Sequence, residues 1–113
     1  MVRAAVLALL ILLVGSPAAA EPPEICGPHT AEDRVVRVFP RGEETSELLC
    51  GNRYYGFRRI DWSVVSLDTI ARTLAAPGSS TYDARSETWT LTGEGAVVVI
   101  TARHGQVITA RAA

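Results

Sequence analysis

Arginines and aromatic rings crowd into one stretch of this chain, Cys50-Gly51-Asn52-Arg53-Tyr54-Tyr55-Gly56-Phe57-Arg58-Arg59-Ile60-Asp61-Trp62. Arg53, Arg58 and Arg59 alternate there with Tyr54, Tyr55, Phe57 and Trp62. Such a mixture suits single-stranded nucleic acid, because guanidinium forks take phosphate oxygens and flat rings stack on unpaired bases. Arg53, Tyr54 and Tyr55 are therefore the candidates for holding RNA or another anionic ligand. A plainer reading makes Tyr55, Phe57 and Trp62 core residues and leaves the arginines to coat the surface beside them.

Proton transfer has few candidates. The two histidines are His29, in a proline-rich and acidic region, and His104, next to a glycine where a turn residue is expected. The two cysteines, Cys26 and Cys50, read first as one disulfide, which would tie the acidic region to the start of the Arg-rich stretch. Cys26 and His29 also give a C-x-x-H pair, but no second pair stands at zinc-site spacing, so neither a metal nor any other cofactor is expected.

The first twenty residues read as a signal segment. Met1-Val2-Arg3 is a basic start, residues 4–14 are an unbroken apolar run, and Ser16-Pro17-Ala18-Ala19-Ala20 ends in a small-x-small cleavage pattern after Ala20. That run is shorter than the roughly 20 residues a bilayer crossing needs, so a secreted product without a membrane anchor is expected. Without this segment 93 residues remain, 38 of them hydrophobic, which suits one small domain and excludes a disordered chain, a collagenous chain or a second sizeable domain. All 11 basic residues are arginine, a preference that a GC-rich coding sequence would also produce. Charge is uneven, with −4 over residues 21–50 and +2 over residues 51–113. The second part is the one able to meet an anion.

These residues must be positioned by a small set of elements. An acidic irregular arm is expected over residues 21–45, interrupted by a strand at 34–39 that stops at Pro40. A short helical turn is expected at 46–50, and a helix at 68–75, where Leu67, Ile70 and Leu74 recur at helical spacing before Pro77-Gly78. The period then changes to two. Strands are expected at 81–84, at 88–92 with Trp89 and Leu91 on one face, at 96–102, and at 106–111 after a two-residue His104-Gly105 turn. The sum is an α+β domain over residues 46–113, with an N-terminal helical segment packed on a C-terminal antiparallel sheet. A monomer is expected.

Residues 50–111 also carry a family pattern. Cys50-Gly51-Asn52, then Gly56-Phe57-Arg58-Arg59-Ile60, then Ile70-Ala71-Arg72-Thr73-Leu74 with Pro77, and the ending Gly105-Gln106-Val107-Ile108-Thr109-Ala110 together resemble the small bacterial ribonuclease toxin domains of the barnase-like, EndoU-like and colicin-like group. The resemblance implies metal-independent RNA cleavage, in which the 2′-hydroxyl attacks its neighbouring phosphate and a cyclic phosphate forms. Such chemistry needs a base, an acid and cations for the crowded phosphate. It implies Arg58 and Arg59 at the phosphate, Thr109 on a phosphate oxygen, and His29 or Tyr54 as proton carrier, with a cognate immunity protein as partner. One position departs from the pattern: Arg59 stands where the group carries histidine. An arginine can stabilise charge but cannot serve as a general base. The alternative implied by that departure is a non-catalytic secreted protein that binds an anionic or protein partner through the same Arg-rich face. A small extracellular inhibitor would share the size and the bridge, but nothing marks an exposed protease-binding loop.

Overall fold

The computed structural model describes residues 23–113; the expected signal segment lies outside them. A 3-10 turn at Pro23–Cys26 opens the described chain, followed by a β-hairpin of β1 (Val35–Arg41) and β2 (Glu44–Leu49). A second 3-10 turn, Phe57–Arg59, precedes helix α1 (Leu67–Ala75), and β3 (Ser79–Asp83), β4 (Thr88–Thr92), β5 (Ala96–Thr101) and β6 (Val107–Ala112) complete the domain. The last four form an antiparallel meander in the order β3-β4-β5-β6. The class is α+β as expected, but the order is not helix first: the helix stands mid-chain, after a β-hairpin that forms its own two-stranded sheet.

The helix forms where its signals predict. Ser66 caps it, its Oγ accepting from the Thr69 N–H, and Leu67, Ile70, Thr73 and Leu74 are the buried stripe. That stripe lies over β5 and β1 together. Phe39 and Leu48 of the hairpin, Ile70 and Leu74 of the helix, and Val98, Ile100 and Val107 of the large sheet make the fully buried centre. Burying side chains of this size stabilises by about 1.5–3 kcal/mol each, before chain entropy is counted.

Several local expectations change. Residues 46–50, expected as a helical turn, lie largely in strand β2, with Ser46 and Leu48 alternately inward and Glu47 outward. β1 runs through Pro40 to Arg41, which a two-stranded sheet tolerates because both its strands are edges. Residues 35–41 and 44–45 of the expected acidic arm are thus ordered sheet. At the other end, His104-Gly105 is part of a wider connection: Gly105 donates to the Thr101 carbonyl and has φ 68°, whereas His104 has no positive φ. Among the described residues no helix is long and apolar enough to cross a membrane.

Candidate nucleic-acid interface

The Arg-rich stretch begins where β2 ends. Gly51 has φ 66°, and a Cβ there would collide with the Tyr55 carbonyl; Gly56 has φ 87° and its Cβ would come within 2.6 Å of the Leu49 carbonyl oxygen. Glycine is required at both positions, because the chain must reverse while its two limbs nearly touch. Between them the Asn52 N–H donates to the Tyr55 carbonyl at 2.9 Å, the Tyr55 N–H returns to the Asn52 carbonyl at 3.3 Å, and the Tyr54 N–H donates to Asn52 Oδ1 at 2.7 Å. A tight loop results, with Arg53 and Tyr54 at its tip. The loop is fastened to the body by the Gly56 N–H, which donates to the Ile108 carbonyl of β6 at 2.8 Å, and to the arm by Asn52 Nδ2 on Glu32.

The aromatics divide by role. Phe57 is buried, and Trp62 packs against it with ring centroids 4.7 Å apart while its Nε1–H donates to the Phe57 carbonyl. Tyr55 is half-buried. Tyr54 alone projects, 64% exposed, with the Arg53 guanidinium 4.9 Å from its ring centroid. Arg59 is exposed and reaches back, its Nη1 donating to the Arg53 carbonyl at 3.3 Å. Arg53, Tyr54 and Arg59 therefore form one projecting cluster of two cations and a ring. Two residues along the chain from Arg59, the Asp61 carboxyl is held below the usual carboxylate range, chiefly by the Ser63 hydroxyl and secondarily by the Ser63 N–H.

Arg58 faces the other way. Its Nη1 donates to the Gly51 carbonyl at 2.6 Å, and its Nη2 donates to the carbonyls of Gly27 at 2.6 Å and Thr30 at 2.8 Å. The guanidinium joins the acidic arm to the strand end beside the Cys26–Cys50 disulfide, which is formed. His29 sits exposed between the two clamped carbonyls, so bridge and clamp together hold it next to Arg58. Thr109 is half-buried on β6 opposite Val99, in a cross-sheet row with Thr90 and Thr81. No hydrogen bond among the described residues links Thr109 to Arg58 or Arg59. The structure thus gathers Arg53, Tyr54 and Arg59, turns Arg58 away from them toward the arm that carries His29, and leaves Thr109 on the sheet.

Sequence reasoning missed one grouping. His104 lines a cavity of about 430 Å³ with Thr45, Glu47, Leu49 and Gln106. His104 and Glu47 both border this cavity because the turn after β5 is brought against β2, a proximity with no trace in sequence spacing. Among the described residues, no group of three His, Cys, Asp or Glu side chains is placed to hold a metal ion. Compared with known proteins, the chain matches no family model, no curated protein and no solved structure.

Proposed function

We propose that the protein is a secreted domain of the ribonuclease-toxin type that binds single-stranded RNA through Arg53, Tyr54 and Arg59 and has lost the histidine-dependent step. One observation carries this reading: the projecting cluster offers two guanidinium groups and an exposed ring on a loop that Gly51 and Gly56 allow to close and the Asn52–Tyr55 hydrogen bonds hold. Rigid cations beside a stacking surface hold phosphate and base together at little entropic cost. The disulfide and the absence of a membrane-length helix among the described residues are compatible with secretion.

Fluorescence anisotropy with a labelled RNA oligonucleotide tests the reading. Affinity should fall with salt, and Arg53→Ala and Arg59→Ala should each flatten the log–log slope by about 0.7, the value for one neutralised phosphate on a single strand. Binding that is absent, or insensitive to both substitutions, overturns it.

A second reading, an active metal-independent ribonuclease, is favoured by His104 and Glu47 in one cavity, since those types can serve as acid and base. Release of cyclic-phosphate fragments in EDTA between pH 5 and 8, abolished by His104→Ala, would establish it. Arg59→His separates the two: gain of cleavage only in that variant means an RNA-binding site lacking its base.

A further inference from the structure

The large sheet has two edges that are treated differently. β6 is covered, because Gly56 donates to the Ile108 carbonyl and the Gly105 turn lies against Thr45 and Ser46 of β2. β3 is open. All five of its residues are exposed, and its pairing with β4 runs without a shift from Ser79↔Thr92 to Asp83↔Thr88. Of the common protections of a free edge it lacks proline, a basic residue and a bulge.

An aromatic patch adjoins the open edge. Tyr82 and Trp89, 47% and 37% exposed, pack at a tilt with centroids 5.2 Å apart. Trp89 borders a groove of about 400 Å³ whose walls also include Leu74, Pro77, Ser80 and Leu91, with Arg41 at one side. An unpaired ladder beside an apolar groove is the arrangement that accepts an added strand, with main-chain bonds giving affinity and alternate side chains giving specificity.

We propose that the added strand is β3 of a second copy, paired antiparallel about a two-fold axis through Thr81, so that the two sheets become one of eight strands. The strand's own sequence selects this occupant. In that register Thr81 faces its counterpart, Ser79 faces the second copy's Asp83, and Ser80 faces the second copy's Tyr82. The strand's one carboxylate meets a hydroxyl, and no like charges oppose each other. The largest side chain meets a small one that lines the groove, so each Tyr82 lies at the mouth of the other copy's groove beside Trp89. The contact is isologous, as two-fold dimers require. A dimer thereby replaces the monomer expected from the sequence, and the inference is independent of RNA binding.

One five-residue edge and two aromatic pairs make a contact smaller than the ~1,600 Å² of a standard interface, so a dissociation constant on the order of 10–100 μM is expected. Sedimentation of the oxidised protein from 5 to 500 μM should show the mass doubling within this range; a monomer throughout overturns the proposal. Thr81→Lys and Thr81→Glu should each weaken the dimer at least tenfold, and their equimolar mixture should restore it, because position 81 meets itself only across this axis. An unaltered dimer in either variant, or a mixture that stays monomeric, refutes the register. Thr81 is exposed, so both variants should keep the parent circular dichroism, and Tyr82→Ser gives a second check through an expected fivefold or greater weakening.

Discussion

Replacing Arg58 by alanine removes three charge-assisted hydrogen bonds, to the carbonyls of Gly51, Gly27 and Thr30. A bond to a charged group contributes about 1.5–3 kcal/mol net, so a bare sum would exceed 4 kcal/mol. Arg58 is only partly buried and water can replace it at the freed carbonyls, which brings the expected cost to about 3 kcal/mol. For the 91 described residues the unfolding entropy is about 0.19 kcal/mol/K, so Tm should fall by roughly 15 °C. Two of the three acceptors lie inside the loop closed by Cys26 and Cys50. Reduction frees that loop, so in reduced protein the same substitution should cost only about 1 kcal/mol, one third of the discounted total, for the remaining Gly51 bond. Thermal melts of parent and Arg58→Ala, each with and without reductant, give this cycle directly. A Tm change below about 3 °C in the oxidised protein would show that the guanidinium does not clamp the arm, and would return Arg58 to the phosphate-binding role implied by the family resemblance; an equal loss in both redox states would refute the dependence of the clamp on the bridge.

The bridge itself closes a loop with a sequence separation of 24, which the chain-entropy relation values at about 3.5 kcal/mol. Reductant should therefore lower the Tm of the parent protein by roughly 15–20 °C, and an unchanged melt would contradict the disulfide's contribution. Gly51→Ala should prevent the loop at residues 51–56 from closing, because the new methyl meets the Tyr55 carbonyl at a positive φ; loss of the Gly56–Ile108 amide's protection from hydrogen exchange would report it. Asp61 has its carboxyl lowered by Ser63, so its contribution to stability is present above the pKa of an unfolded carboxylate and disappears as pH falls through the folded value. Ser63→Ala should move the Asp61 midpoint upward in an NMR titration, and a midpoint that stays put would remove the hydroxyl as the main cause.

The parts of the fold legible in the sequence are those where one strong pattern acts alone. Leu67, Ile70 and Leu74 define the helix before Pro77, strict alternation defines β4, and the β-branched run defines β5. The lone pair of cysteines gave the disulfide. Strand β2 was hidden because its inward positions are Ser46 and Leu48, and a buried serine does not read as apolar. Ser46 is tolerated inside because its Oγ accepts from Arg41 Nε at 2.7 Å, a partnership set by the hairpin. In the candidate site, the sequence showed which residues cluster but not which way they point. Arg58 and Arg59 are neighbours of identical chemistry; one turns toward three backbone carbonyls and the other toward solvent, and only the folded arm distinguishes them. Glu47 and His104 were out of reach for the same reason, since tertiary packing alone brings them to one cavity.

The covalent link between Cys26 and Cys50 also decides how the domain bears load. A pull applied to the chain ahead of Cys26 bypasses the hairpin and arrives at Cys50, which is fully buried in the core. The arm and both hairpin strands then sit in a closed loop that tension cannot lengthen. Cleaving the bridge would release that loop, about 80 Å of hidden contour at about 3.4 Å per residue. Under force, the oxidised and reduced proteins would unfold as chains of different length, and the loop that steadies Arg58 would act as a reserve of slack released only by a reductant.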